Sequence, residues 1–598
     1  MAYLFAFLLR LDFQEPWWGW TRAASSFVTV WVVQWLMFFA FRCDRLLWRY
    51  ISVGDVPRFM VAVASAALVL IDLRMMFPSS HGLRPPFGVI VINSMLVFGG
   101  LLLVRIFWRM LQENEPVRPA AGTGRPKRVL LVGAGSAGNL VARELRRQSA
   151  KRWVVVGFLD DDLAKQQATI QGHTVLGRID ELPETVRKHA VEEVIVSMAR
   201  VPRDVIGRVV RLCERAHVSA RIVPGYYELI DGSLTASKIR DVDVADLLGR
   251  EEMTVDGRAV VELLGQKRVL VTGAGGTIGS ELARQILRTG PEQLVLVERS
   301  ENALYEIERE FRHLGLETPV VTLLADIGER HRMSAILGQY KPQVVVHAAA
   351  HKHVPMMELN PVEALRNNVL ATRALGELAV EHGVERFVFI STDKAVNPVS
   401  VMGISKRLAE IALQDLNRRN RTRFSAVRFG NVLDSSGSVV PLFREQIRKG
   451  EAVTVTHPEM TRYFMTISEA VSLVLQAAAL AKGGEIFVLD MGAPVKIVEL
   501  AEEMIALSGL RPHEDIPIMF TGIRPGEKLF EELDVSERSA YKTGHARIFV
   551  SKIRDVEAGE VTGLLAACEA LCKGCHSAEE ARVALRRLKP EERLPVAG

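Results

Sequence analysis

Thr392, Asp393 and Lys394 place a hydroxyl, a carboxyl and an amine side by side directly after the apolar run FVFI at 387–390. Such a run reads as a buried strand, and α/β sheets build their active sites at the carboxyl ends of parallel strands. An acid beside a base can protonate one atom of a ligand and deprotonate its neighbour. Met402 and Lys406 follow, four residues apart, and one helical turn puts them on a shared face. Alone, Lys406 would read as a surface lysine. Behind Thr392-Asp393-Lys394 it becomes a cation at the same site.

The elements that would hold a ligand against these groups lie upstream. Gly273, Gly276 and Gly279, with Thr277 and Ile278 among them, form G-x-x-G-x-x-G after the apolar run RVLVT. Glycine there permits a tight turn and close approach of backbone to a pyrophosphate at a helix N-terminus. The strand LVLV ends at Glu298, whose carboxylate suits ribose hydroxyls and repels a 2′-phosphate, favouring NAD over NADP. Arg299, next to it, argues the other way. Asp326 and Ile327 follow a further strand, at the place of an adenine. Ala348, Ala349 and Ala350 end the run VVVH, their small side chains leaving room for a cofactor, and Asn368 completes the cofactor set.

A similar opening stands earlier. Gly133, Gly135 and Gly138 form G-x-G-x-x-G, and VVVGFLDDD brings Asp160 to the ribose position. No catalytic constellation follows it before the second opening, so a nucleotide in this second site would be regulatory or structural. The pair predicts two tandem Rossmann-like, doubly wound α/β domains.

From about residue 265 to 540 the chain resembles the membrane-bound polysaccharide-biosynthesis UDP-N-acetylglucosamine 4,6-dehydratases, extended short-chain dehydrogenases/reductases of capsule, O-antigen and protein-glycan synthesis. The segments that carry the resemblance are VTGAGGTIGSELARQ, HAAAHKHVPMME, STDKAVNPVSVMGISKR, RFGNVLDSSGSVVPLF, MTRYFMTISEA and RPGEKLFEEL. Most of the superfamily has Tyr, a phenolic base, where Met402 stands, and the Met is shared with this family. Asp434 departs from it, at a position that is usually Gly.

The resemblance implies that Asp393 protonates the leaving C6 hydroxyl and Lys394 takes the C5 proton. Those roles need a protonated carboxyl and a neutral amine, states that burial favours and their mutual attraction opposes. Thr392 would bond the C4 oxygen and help pass its proton, Lys406 would hold the nicotinamide ribose, and Met402 would pack. Asn431, Arg462, Arg524 and Glu527 would clamp the nucleotide sugar, Arg suiting a pyrophosphate and Glu a ribose hydroxyl. NAD, a UDP-sugar and a homo-oligomer built through the catalytic domain are implied with them. A 4-epimerase and a membrane nucleotide sensor without turnover compete. The missing Tyr and the added Asp393-Lys394 count against the first, the intact catalytic set against the second.

The chain has 598 residues, 48% of them apolar, with the excess near the N-terminus. A net charge of +5, without a basic tail or aromatic-basic stripe, makes nucleic acid a poor partner. Apolar runs at 27–41, 59–71 and 87–104 predict transmembrane helices, with 2–9 the end of a further one. The 87–104 run is long enough to cross a bilayer alone, and the other two come near the ~20 residues needed when their flanks are counted. Arg42, Arg45, Arg49 and Arg58 lie between the first two runs, and Arg105, Arg109, Arg118, Arg125, Lys127 and Arg128 follow the last. The positive-inside rule puts both clusters, and the soluble domains, on the cytoplasmic side of a bacterial inner membrane, with Trp17, Trp18 and Trp20 in an outward loop. No basic stretch precedes the first run and no A-x-A site follows it, so no cleavable signal peptide is expected.

The expected order is transmembrane helices over 1–111, a linker over 112–126, a nucleotide-binding domain over 127–250, the catalytic domain over 251–555 and a helical tail over 556–598. In the tail, Cys568, Cys572, Cys575 and His576 contain the spacing of a haem attachment. On the cytoplasmic side such attachment is not expected, the segment reads as a helix with cysteines on its small apolar face, and no metal is assigned. Five cysteines, sparse and odd in number, fit a reducing compartment.

Overall fold

The computed structural model describes residues 2–10, 17–41, 56–76, 85–113, 126–148, 153–198, 203–223, 239–248, 257–313, 318–418, 421–533, 540–553, 556–575 and 577–588. They divide into two compact units, Met1–Ala121 and Gly122–Gly598. Arg42, Arg45, Arg49, Arg118, Arg125, His576 and most of the expected linker lie outside the described residues.

The first unit contains helices α1 (Ala2–Arg10), α2 (Trp17–Ala40), α3 (Val56–Met76) and α4 (Phe87–Glu113). Ala6, Val30, Ala66, Leu70, Val89 and Ile90 pack inward, while Trp31, Trp35, Leu68 and Met95 face out. Large apolar residues on the outer face mark a surface that meets something other than water. Among the described residues, 59–76 is the one stretch long and apolar enough to cross a membrane, with a mean hydropathy of 2.0, and 26–40 and 87–103 are shorter apolar stretches. Helix α3 continues past Ile71 to Met75 and Met76 and tolerates Asp72 and Arg74, while the expected 87–104 run lies within the 27-residue α4. Trp17, Trp18 and Trp20 also differ from expectation, opening α2 rather than lying in a loop.

The second unit begins with a seven-stranded sheet in the order β3-β4-β2-β1-β5-β6-β7. Its strands are β1 (Lys127–Val132), β2 (Trp153–Leu159), β3 (Thr169–Ile170), β4 (His173–Gly177), β5 (Glu193–Val196), β6 (Ser219–Ile222) and β7 (Arg240–Asp241), flanked by α5 (Ser136–Gln148) and α6 (Arg203–Arg215). The four central strands β2, β1, β5 and β6 run parallel, and the apolar runs of the inner pair, β1 and β5, are buried on both faces, as central parallel strands require.

The catalytic sheet follows the order β10-β9-β8-β11-β12-β13-β18-β22-β21. β8 (Arg268–Thr272), β9 (Gln293–Glu298), β10 (Val320–Leu324), β11 (Val344–His347), β12 (Arg386–Ile390), β13 (Arg423–Arg428) and β18 (Ile486–Leu489) are parallel; β22 (Ile548–Ser551) and β21 (Ala540–Lys542) close the edge antiparallel. The chain leaves β8 toward β9 on one side and returns as β11 on the other, which opens a crevice at the carboxyl ends of β8 and β11. Short pairs build a subdomain over that crevice: β14 (Asn431–Val432) with β17 (Phe464–Met465), β15 (Val453–Val455) with β20 (Ile518–Phe520), and β16 (Thr461–Arg462) with β19 (Val495–Lys496). Helix α7 (Thr277–Leu287) follows the glycine turn, α8 (Val401–Asn417) carries Met402 and Lys406, and α9 (Ile497–Leu507) follows β19.

Two features tie the outer parts to this core. Ala506 and Leu507 of α9 join the apolar core of the middle domain, and Arg211 of α6 stands 3.8 Å from Glu503. The tail helices α10 (Ala558–Gly574) and α11 (Ala578–Arg587) bring Cys568 and Leu585 into one apolar cluster with Met402, Leu365 and Val369. Burial there pushes the Cys568 thiol up to about 12, so it packs as an apolar group.

Candidate active site

The glycine turn is fixed by close approach. Gly273 has φ +66°, and a Cβ there would stand 2.6 Å from the Ala349 nitrogen. A Cβ on Gly279 would stand 2.0 Å from the Gly273 carbonyl oxygen, so the helix can cross this close to the strand only without a side chain. Gly273, Gly276, Thr277, Ile278, Gly279, Ala348 and Ala350 line one end of a cleft of about 660 Å³. Ala349 instead packs its backbone beneath Gly273.

Glu298 binds the turn itself. Its carboxylate accepts the N–H groups of Gly275 (3.1 Å), Arg299 (2.9 Å) and Ser300 (3.0 Å). Arg299 lies 4.0 Å from Asp326 and 3.5 Å from His351. Asp326 accepts the Gly328 N–H at 2.8 Å, and Ile327 is buried in the sheet core with Val295 and Met333. Asn368 is buried too. Its amide clasps the backbone of His351 (2.9 and 3.0 Å) and the Ser405 hydroxyl (3.0 Å). Ile327 and Asn368, expected as cofactor contacts, thus shape the walls from behind.

At the centre, β12 delivers Thr392-Asp393-Lys394 into a short turn capped by the Thr392 hydroxyl. Asp393 Oδ1 accepts from Thr392 Oγ1 at 2.8 Å and from Lys394 Nζ at 3.0 Å. Its side chain is fully buried, and Oδ2 has no hydrogen-bond partner among the described residues. Lys394 Nζ also donates to Asn431 Oδ1 at 3.1 Å and stands 3.8 Å from Glu531 Oε1. Sequence reasoning missed Glu531, although it sits within RPGEKLFEEL. Burial pushes its carboxyl above the ordinary range, Lys394 opposes, and Asp393 adds to the rise.

Met402 is buried beside the cleft and gives the site no proton. Lys406 donates to the Ile390 carbonyl at 2.5 Å and lies 3.9 Å above the Phe389 ring. Burial pulls its ammonium down to about 7, against the nearby Glu410 carboxylate. Glu410 is itself held by Arg428 (2.6 and 2.8 Å), Arg407 (3.2 Å) and Ser391 (2.6 Å). A second missed group is His347, fully buried between the hydroxyls of Thr272 (2.7 Å) and Thr372 (2.9 Å) and pushed down to about 3 by burial and by the charge of Lys406.

The expected sugar-nucleotide residues all line the cleft, each already engaged. Arg462 donates to the carbonyls of Thr461 (2.7 Å), Lys528 (2.8 Å) and Leu529 (3.1 Å), tying the RPGEK loop to β16. Arg524 pairs with Glu527 (3.0 and 2.5 Å). Asp434 adopts φ +55°, the left-handed region that suits the usual Gly, and turns its carboxylate to Arg444 at 3.0 Å.

The earlier glycine turn differs in its filling. A Cβ on Gly133 (φ +103°) would stand 2.2 Å from Met198 Cγ. Asp160 accepts from the N–H groups of Ala134 (2.8 Å) and Asp162 (2.9 Å) and from Lys165 (3.1 Å).

A family model described as polysaccharide biosynthesis protein matches residues 269–553, and one described as CoA-binding domain matches residues 58–224. The capsular polysaccharide biosynthesis protein CapD of Staphylococcus aureus is 43% identical over 499 residues, 83% of this chain and 82% of that protein. The chain belongs to the polysaccharide-biosynthesis family of extended short-chain dehydrogenases/reductases. Two enzymes are similar to its catalytic half. The UDP-N-acetylglucosamine 4,6-dehydratase (inverting) of Campylobacter jejuni subsp. jejuni serotype O:2 is 32% identical over 46% of this chain and 80% of its own length. The UDP-glucose 4-epimerase of Rickettsia bellii is 34% identical over 46% and 79%. The likeness in this family therefore reaches both dehydratases and epimerases, and the residues at the cleft must choose between them.

Proposed function

We propose that this enzyme is an NAD-dependent UDP-N-acetylglucosamine 4,6-dehydratase, a hydro-lyase of surface-glycan synthesis. Its N-terminal helices make it multi-pass in a bacterial inner membrane, with cytoplasmic soluble domains and catalytic domains that associate with one another. One observation carries the reading: Thr392 and Lys394, joined by hydrogen bonds through the buried Asp393 behind them, line a cleft in which Met402 replaces a proton-carrying side chain. An epimerase needs one base at O4, whereas a dehydratase needs an acid at C6 and a base at C5 as well.

The residues present fit a nicotinamide dinucleotide. The Gly273–Gly279 turn leaves backbone open to a pyrophosphate, the alanines after β11 clear a path, and Lys406 lies at the cleft wall for the nicotinamide ribose. NAD supplies a transient acceptor that carries hydrogen from C4 to C6 and is restored in each turnover.

The chain's own residues move the protons. Thr392 takes the O4 proton as its own hydroxyl proton passes along the 2.8 Å bond to Asp393. Asp393 then holds the proton that the C6 hydroxyl needs to leave as water. Lys394 takes the proton from C5 and later returns it. Asn431 steadies the Lys394 amine, and Arg462, Arg524 and Glu527 meet the UDP moiety by exchanging some of their present partners for it. The middle domain has a regulatory or structural role, with Gly133, Gly135, Gly138 and Asp160 as its candidate nucleotide contacts.

Incubating the full chain with UDP-N-acetylglucosamine tests this. The expected product is lighter by one water. An isomer of unchanged mass would point to the epimerase, and bound NAD with no turnover of any UDP-sugar to the sensor.

A further inference from the structure

Glu531 is a buried carboxyl that the steps above do not use. Only 3% of its side chain is exposed, Oε1 stands 3.8 Å from both Lys394 Nζ and Arg462 Nε, and Oε2 has no hydrogen-bond partner among the described residues. It lines the same cleft. A free lone pair in a dry site beside an ammonium is a place for a proton.

Lys394 meets a difficulty that this carboxyl resolves. Hydrogen-bonded to Asp393 and Asn431, it rests as an ammonium, yet it must be an amine to accept the C5 proton. Once Asp393 has received the O4 proton through Thr392, the carboxylate left beside Lys394 is Glu531. We propose that Glu531 is the proton store of the site, taking the proton that the Lys394 ammonium must lose before its amine can act on C5. The inference rests on the dehydratase reading.

The transfer balances. A Lys394 N–H bond breaks, an O–H bond forms on Glu531, and a charged pair becomes a neutral one, which a substrate that excludes water favours. At the elimination the C5 proton moves to the Lys394 amine, while the Asp393 proton leaves with the C6 oxygen as water. When Lys394 has returned its proton to C5, Glu531 gives back its own. The charged groups facing Glu531 are Asp393 and Lys394 on the turn after β12, Arg462 on β16 and Lys528 on its own loop. Burial pushes the carboxyl up, the cations pull it down, and Asp393 raises it further, so it gains a proton readily. Glu531 acts through Lys394 and is a positioning residue.

The test is the single-turnover rate of water loss from UDP-N-acetylglucosamine by the full chain, followed from about pH 6 to about pH 9, with bound NAD measured in each variant. An internal transfer needs no proton exchange with solvent, so the wild type should give a flat profile. Glu531→Gln must lose the Lys394 proton to solvent. Its rate should fall at least about tenfold at neutral pH and rise by about tenfold per pH unit. Glu531→Asp should restore the flat profile at a reduced rate. A slow but flat Glu531→Gln would reduce Glu531 to a packing role and overturn the inference. If that variant loses its NAD, the wild-type profile decides alone: flat supports the store, and a rise of tenfold per unit overturns it. No water loss by the wild type at any pH removes the dehydratase reading and the inference with it, a result distinct from a working enzyme with the wrong profile.

Discussion

The two glycine turns of this chain start alike and end differently. Each follows a buried parallel strand, bends at a glycine of positive φ, and has an acidic residue from the next strand bonded to its N–H groups. Beyond the turn, the catalytic domain presents Ala348, Ala349 and Ala350, and a cleft opens. The middle domain presents Met198, whose side chain lies against Gly133, and Lys165 sits on the acid. One glycine turn thus opens onto a cleft, and the other has a methionine side chain set against it. The difference lies in the neighbouring side chains rather than in the glycines.

The sharpest way to break this comparison is to fill each turn. Gly273→Val drives a side chain into the Ala349 backbone and should abolish NAD retention and reduce turnover by on the order of 10³-fold or more. Gly133→Val meets a flexible Met side chain and should leave NAD retention intact while lowering the melting temperature. Loss of NAD from both variants would mean that the middle turn also supports the cofactor.

Next in size is the proton path that the catalytic turn alone possesses. Thr392→Val should lower kcat by about 10²–10³-fold with KM changed little. A KM effect alone would make Thr392 a binding group only.

The buried charges of the two domains should titrate in opposite senses. Lys406 falls from 10.5 to about 7 in the folded chain through burial, so above about 7 the unfolded chain holds a proton that the folded chain has lost. Stability then rises with pH from about 7 toward 10.5, by at most about 1.4 kcal/mol per unit, and is flat below that window. For Asp160, burial raises the carboxyl, but the N–H groups of Asp162 and Ala134 and the Lys165 amine outweigh it and hold it below the ordinary value. Its contribution is present above the unfolded carboxyl range and is lost as pH falls through the folded one. Melting temperatures of NAD-free protein should therefore show a rise above about pH 7 that Lys406→Met lacks; equal slopes would contradict it.

The smallest effect belongs to the contact between the domains. Arg211→Ala removes a half-exposed partner of Glu503 and should change stability by less than about 1 kcal/mol and KM by less than about twofold. A larger KM change would show that α9, whose first residue Ile497 lines the cleft, carries a signal from the middle domain.

Much of the site was legible because its parts are contiguous. A glycine turn, a Thr-Asp-Lys triplet and a Met–Lys helical turn each declare their geometry within a few residues. Ile327 and Asn368 show what a motif leaves open, since a motif position fixes the backbone and not where a side chain spends its hydrogen bonds: Asn368 holds the His351 backbone and Ile327 packs in the sheet core. Glu531 and His347 were missed because only the tertiary fold sets one beside Lys394 and the other between two threonines. In the helical unit the apolar runs were found as helices, and the second of them proved longer than its apolar core, since α3 continues past Ile71 through two charges.

The most direct test of the account follows one hydrogen atom. UDP-N-acetylglucosamine carrying deuterium at C4 is given to the full chain, and the product is read by NMR. The account predicts a 4-keto-6-deoxy sugar with the deuterium moved to C6 of the same molecule. Deuterium returned to C4 of an epimerised sugar, with no water lost, would contradict it.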